Sequence, residues 1–219
     1  MTKYELPFEN KYSYEHAKKY YQKHQGLRRQ LATMVECRMA TRALRLAGNP
    51  KIILDLPCGF GRFWETLIGA GAEKIIAADK SAGMLQVGKE VNTENTLARV
   101  AFLPSTATEI DLADKSVDSV FCMRLLHHIS DKDYRMAIYR SFQRVARDSV
   151  VISFWNKNSF RHSRESKPDA HIDIREVNRH FFNPAEIEAE FITAGFEIVG
   201  YVDMLPYVSP WRTYVLKVR

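Results

Sequence analysis

Residues 52 to 61 read Ile-Ile-Leu-Asp-Leu-Pro-Cys-Gly-Phe-Gly, an apolar strand that runs directly into a glycine turn. A second apolar run, Ile75-Ile76-Ala77-Ala78, closes on Asp79, eighteen residues after Gly61. Glycines at 59 and 61 let the backbone approach a ligand without Cβ interference. A carboxylate at the end of the neighbouring strand accepts hydrogen bonds from ribose hydroxyls. Together they point to a nucleoside-containing ligand held at the strand ends of a parallel sheet.

What the turn lacks narrows the ligand. A dinucleotide fingerprint counted from Gly59 and Gly61 needs a third glycine at position 64, so that the helix packs closely with a pyrophosphate at its N-terminus. That position is Trp64. A phosphate-cradling P-loop needs Gly-Lys-Ser/Thr, and Gly61 is followed by Arg62-Phe63. A cofactor without phosphates fits better than either.

The rest of the chain alternates. Strands are expected near 51–56, 74–79, 98–103, 117–123 and 148–155, with helices near 61–71, 81–92 and 131–146, a pattern that implies a parallel sheet covered on both faces. Residues 14 to 47 contain no proline and only Gly26 as a glycine, so two helices broken near Gly26 are expected. Polar residues 156 to 181 form a long connection. Asn183-Pro184 reads as an N-cap followed by proline at the first helical position, Ala194-Gly195 ends that helix, and strands near 196–204 and 211–218 finish the chain. With 219 residues, one domain over 1–219 is the expectation, with 1–48 a helical N-terminal cap and 156–182 a substrate-side insertion.

Ile53-Leu-Asp-Leu-Pro-Cys-Gly-Phe-Gly-Arg62 resembles the first motif of the class I S-adenosylmethionine-dependent methyltransferases, hydrophobic-Leu-Asp-x-Gly-x-Gly-x-Gly, departing from it at Pro57. Proline removes an N–H there, which leaves its carbonyl for contacts. Ile75 to Leu85 is similar to the family's second motif. Phe102 to Val120 aligns with its third and fourth strands, and Leu125-Leu-His-His-Ile129, Phe182 to Ile187 and Ala194 to Ile198 resemble its later segments. The resemblance covers about residues 50 to 219. It implies a Rossmann-like, seven-stranded, mostly parallel sheet with helices on both faces and an antiparallel C-terminal edge, and S-adenosyl-L-methionine as cofactor.

By that resemblance, Gly59 and Gly61 approach the methionine portion and ribose, and Asp79 holds the ribose hydroxyls. Lys80, Thr106 and Ala107 border adenine, Thr106 standing where the family commonly has an aspartate. Asp55 orients the turn, while Met123 and Arg124 lie near the transferable methyl group or the carboxylate. Methyl transfer from a sulfonium is an in-line displacement carried largely by positioning. A hydroxyl or protonated amine acceptor also needs a base. His127 and His128 are the candidates, and His127 is preferred for its earlier place in the loop.

The fourth-strand loop, Cys-Met-Arg-Leu-Leu-His-His, lacks the Asp/Asn-Pro-Pro-aromatic motif of enzymes that methylate exocyclic nucleobase amines. A small-molecule oxygen, nitrogen or carbon acceptor is therefore favoured, with residues 11 to 29 and 155 to 182 as lid and acceptor pocket. The net charge of +6 suits an anionic acceptor. The alternatives are an RNA-directed methyltransferase or nucleic-acid-binding protein that uses the basic segments at 17–29 and 157–180, and a cofactor-binding fold without catalysis. The same basic residues also read as a solvated helix face and a surface loop.

Cys37, Cys58 and Cys122 are odd in number and widely spaced, which suggests neither a disulfide framework nor a metal site. No apolar run approaches the roughly 20 residues of a membrane span. A cytoplasmic location is the default expectation.

Overall fold

The computed structural model describes residues 13–159, 179–206 and 208–219. Most of the long connection, residues 160–178, lies outside the described residues. Two N-terminal helices, α1 (Tyr14–His24) and α2 (Leu27–Leu46), precede the sheet. The chain then runs through β1 (Ile52–Asp55), α3 (Trp64–Gly69), β2 (Lys74–Asp79), α4 (Ala82–Val91), α5 (Glu94–Leu97) and β3 (Val100–Pro104). It continues with β4 (Val117–Cys122), a 3-10 turn at Leu126–His128, α6 (Lys132–Val145), β5 (Ala146–Trp155), α7 (Pro184–Thr193), β6 (Phe196–Asp203) and β7 (Trp211–Val218).

One seven-stranded sheet results, in the order β3-β2-β1-β4-β5-β7-β6. The first five strands pair in parallel, and β7 lies antiparallel to both β5 and β6. Chain direction across the sheet reverses between β1 and β4, the topological switch point beyond which ligands bind in open parallel sheets.

Strand side chains alternate between faces, and here both faces are covered. Leu54, Val120, Cys122, Val150 and Ile152 pack with Ile138 and Phe142 of α6 and Phe191 of α7. Their neighbours Ile53, Phe121 and Val151 point the other way, onto Met39, Ala43 and Leu44 of α2 and Trp64 and Leu67 of α3. Two-sided burial explains why these strands read as continuous apolar runs.

Local signals place the helix starts. Ser81 Oγ accepts from Met84 N at 3.1 Å, Asp131 Oδ1 accepts from Tyr134 N at 2.7 Å, and Asn183 Oδ1 accepts from Ala185 N at 3.1 Å with Pro184 at the first helical position. Gly26 separates the N-terminal helices, as expected, and serves as the N-cap of α2. The helix expected over 61–71 is shorter because the glycine turn consumes residues up to Phe63, which is its N-cap. Among the described residues no helix is long and apolar enough to cross a membrane.

The N-terminal pair splits its work. The second half of α2 is part of the layer that covers the sheet, whereas α1 packs on α4 through Ala17, Tyr20 and Tyr21, gathered with Met84 and Val87 around Phe60 of the glycine turn.

Candidate functional site

The turn after β1 is wedged between β2 and β4. Leu56 N donates to Phe121 O at 3.0 Å and Cys58 N to Ala78 O at 2.8 Å, so the backbone leaves β1 clamped on both sides. Gly59 and Gly61 have φ of 57° and 84°, the left-handed region that side chains disfavour. A Cβ on Gly59 would meet nothing within 4 Å, whereas one on Gly61 would lie 2.3 Å from the Trp64 ring. The first glycine thus faces open space and the second is filled by Trp64, where a dinucleotide fold would keep a third glycine.

Trp64 is fully buried, and its Nε1 donates to Asp55 Oδ2 at 3.1 Å. That bond ties the end of β1 to the start of α3. Burial first, then the nearby Asp79, pushes the Asp55 carboxyl well above the ordinary carboxylate range. Gly61→Ala meets both strain at φ and overlap with the indole, and is expected to cost about 3 kcal/mol of stability. A denaturant melt of the variant checks this, and an unchanged midpoint would contradict the packing described.

Asp79 closes β2 at the same place. Its Oδ2 accepts from Gly59 N and its Oδ1 from Ser81 N, both at 2.9 Å. The carboxylate therefore locks the turn to the start of α4, and each oxygen has acceptor capacity beyond these two bonds. Burial raises its pKa to about 6, against the lowering effect of those two N–H donors.

The other expected residues fall at neighbouring strand ends with unequal reach. Pro57 is half-buried and follows a cis peptide bond, and Lys80 is exposed directly after β2. Thr106 Oγ1 already accepts from Glu109 N at 3.1 Å, which uses part of its acceptor capacity. Ala107 packs against the core cluster around Leu54 and Val120. Met123 is 4% exposed and belongs to the opposite core cluster, so its side chain is committed to packing.

His127 sits deeper than a loop position suggests. Its ring stacks on Trp155 at 5.0 Å and 16° and meets the edge of Trp211 at 4.9 Å, with 1% of the residue exposed. Burial, then the neighbouring His128 and Arg124, holds its pKa well below the ordinary value, so the imidazole is neutral at physiological pH. Its Nδ1 has no hydrogen-bond partner among the described residues. The loop is fixed from outside. Arg135 Nη1 donates to Ile129 O and Ser130 O at 3.0 and 2.7 Å, and its guanidinium grips Glu190 of α7 through Nε at 3.0 Å and Nη2 at 2.5 Å.

One cluster escapes a reading of motifs. Glu36 of α2, 4% exposed, takes Arg62 from the glycine turn on Oε2 and Arg124 from the end of β4 on Oε1, the latter at 3.1 Å. Arg124 has φ 66°, donates its N–H to Ser153 Oγ at 2.9 Å and lies over the Trp211 ring at 5.2 Å. The sequence signal for the cluster is a carboxylate on the stripe that Met39, Ala40 and Ala43 continue, a face that ought to be apolar.

Over the turn itself, Phe60 is ringed by Tyr20, Tyr21 and His24 of α1 at 6.0, 5.3 and 5.4 Å. Burial lowers the pKa of His24 to about 4. The thiols of Cys58 and Cys122 are buried and pushed well above their ordinary value by that burial, which makes them inert as nucleophiles.

Comparison with known proteins agrees with this geometry. Residues 53–149 match the sequence model of a family described as a methyltransferase domain. The chain is 26% identical over 168 residues to the ubiquinone biosynthesis O-methyltransferase of Azorhizobium caulinodans, covering 73% of this chain and 65% of that protein. It is 31% identical over 117 residues to the demethylmenaquinone methyltransferase of Thermobifida fusca, covering 53% and 49%. The chain thus spans between about half and two-thirds of the length of these curated relatives. Among solved structures, an S-adenosylmethionine-dependent methyltransferase from Clostridium acetobutylicum shares the fold with a TM-score of 0.68 at 13% identity, over 92% of this chain and 98% of that one. From the middle of β1 into β5 the chain thus matches a methyltransferase-domain family, and its sheet has the fold of solved S-adenosylmethionine-dependent methyltransferases.

Proposed function

We propose that the chain binds S-adenosyl-L-methionine and transfers its methyl group to a small-molecule acceptor. The observation that carries this is the Asp79 carboxylate held by Gly59 N and Ser81 N beside a glycine whose Cβ direction is open. That is a cradle for a ribose and the chain it bears. Bound there, the cofactor supplies an electrophilic methyl on a neutral leaving group.

The residues present fit such a ligand. Asp79 would accept from the ribose hydroxyls, and Gly59 and Gly61 with the Pro57 carbonyl would line the methionine side, with Asp55 behind them setting the turn. Lys80, Thr106 and Ala107 would border the base, the last two through hydroxyl and backbone, and Met123 would lie near the transferable methyl group through its backbone. The names of the two curated relatives support a small-molecule acceptor, and the first of them supports oxygen as the methylated atom. Arg124 over Trp211 and Arg179 over Trp155, each at 5.2 Å, favour an anionic one.

His127 is the base in this reading. A neutral, buried imidazole whose Nδ1 lacks a partner among the described residues would be satisfied by an acceptor O–H. Residues 1–48 act as a helical cap, of which α1 closes on Phe60, and 156–182 as the substrate-side insertion of a single domain working in the cytoplasm.

Incubation with methyl-labelled S-adenosylmethionine and a panel of hydroxylated aromatic acids tests the proposal. Labelled product is expected. Tight cofactor binding with no product across the panel would instead support a non-catalytic fold. His127→Gln is expected to lower kcat by about a hundredfold or more while S-adenosylhomocysteine affinity stays unchanged; an unaltered kcat would remove His127 from the mechanism.

A further inference from the structure

The outward face of α2 serves nothing in the site. This helix of 20 residues carries Arg28, Arg29, Arg38, Arg42 and Arg45 against a single carboxylate, Glu36. Glu36 is turned inward and spent on Arg62 and Arg124. At 3.6 residues per turn, Leu27, Leu31, Met34, Arg38, Arg42 and Arg45 fall on one stripe opposite the buried face. Leu27, Leu31 and Met34 are 80%, 62% and 51% exposed. The stripe is therefore apolar along its first half and cationic along its second, without a carboxylate of its own.

Surface apolar residues scattered singly need no explanation, whereas an aligned set does. At its arginine end the stripe opens into a groove of about 620 Å³ between α2 and β6, lined by Arg42, Arg45, Leu46, Tyr201, Asp203 and Pro206 among others. There Tyr201 and Leu205 are again about half exposed. Apolar character thus continues off the helix and onto the sheet edge, where the groove's carboxylate, Asp203, is paired with Arg212.

We propose that this face docks the protein on an anionic lipid surface, the leucines and Met34 entering the acyl boundary and the arginines resting among the headgroups. Charge complementarity selects the partner, since the α2 stripe carries arginines and no carboxylate in a chain of net charge +6. A nucleic acid would engage the arginines but leave Leu27, Leu31 and Met34 with nothing to bury against. A second copy related by a two-fold axis would set arginines against arginines or against the apolar half.

Co-flotation of the full chain with vesicles tests this, using phosphatidylcholine alone and phosphatidylcholine mixed with about one-third phosphatidylglycerol. Flotation is expected only with the mixed vesicles, and is expected to weaken as salt is raised. Arg38→Gln/Arg42→Gln/Arg45→Gln is expected to lower partitioning about a hundredfold, at roughly fivefold per arginine. Leu31→Gln/Met34→Gln should lose binding as well, and both variants should keep wild-type affinity for S-adenosylhomocysteine. Equal flotation on both vesicle types, none on either, or salt-sensitive retention on RNA with none on vesicles would each overturn the proposal. The comparison of the two vesicle types with the wild-type chain decides it even where a variant fails to fold.

Discussion

Asp79→Ala is expected to weaken S-adenosylhomocysteine binding about a hundredfold, the equivalent of two charge-assisted hydrogen bonds to a ribose. The carboxylate has no substitute within the turn, because both of its oxygens are already oriented by Gly59 N and Ser81 N. Losing it also frees two N–H groups that hold the turn against α4. Isothermal titration calorimetry checks the figure, and an undiminished affinity would remove Asp79 from the site.

The same residue sets a pH dependence. Burial raises its pKa to about 6, above the roughly 3.9 of an unfolded aspartate. The ligand-free fold therefore favours the protonated form. The stability Asp79 contributes is present below about pH 4 and is lost as pH rises through about 6. Relative to wild type, Asp79→Asn should accordingly gain in melting temperature between pH 4 and 7. Ligand binding runs the other way, since two ribose hydroxyls donate best to the ionised carboxylate. Wild-type affinity should fall about tenfold from neutral pH to pH 5, with no such slope for Asp79→Ala.

Glu36→Ala is expected to cost about 3 kcal/mol, because it leaves the buried Arg62 and the partly exposed Arg124 without their shared counter-charge. For a chain of this size that corresponds to a fall of about 10 °C in Tm. Arg62 has a side chain only 11% exposed, and it loses its counter-charge while Arg124 remains close enough to repel it. A double-mutant cycle with Glu36→Met and Arg62→Met measures the coupling. The double variant should recover part of the loss, since a buried pair replaced as a unit is far less costly than a pair broken. Strictly additive single effects would mean that the cluster carries no coupling.

The two residues differ in how readable they were. Asp79 is legible because it closes an apolar run next to a strand that ends in glycines, and such local order survives into the fold unchanged. Strand limits, the break at Gly26 and the Asn183-Pro184 helix start were legible for the same reason. Glu36 joins partners from two other elements, Arg124 lying 88 positions along the chain, and no local pattern encodes such a meeting. Only its polarity on an apolar stripe betrays it. His127 is the intermediate case. Its place after β4 follows from the sequence, but its burial depends on Trp155 and Trp211, which arrive from strands much later in the chain. The exposed basic residues of α2 read equally well as a solvated face until Leu27, Leu31 and Met34 are seen to share it.

The position of β7 bears on how the protein is made. It follows β6 in the chain yet sits between β5 and β6, pairing with β5 from Ser149 to Trp155 and with β6 from Phe196 to Asp203. During synthesis, β1 to β5 can assemble in the order in which they emerge, while the outer edge of β5, Val150-Val151-Ile152 among it, waits uncovered and β6 has no neighbour. An apolar open edge is a template for the wrong partner. The nascent chain is therefore most exposed to misassembly between the emergence of β5 and that of β7, an interval in which holding by a chaperone would matter more than at any earlier point.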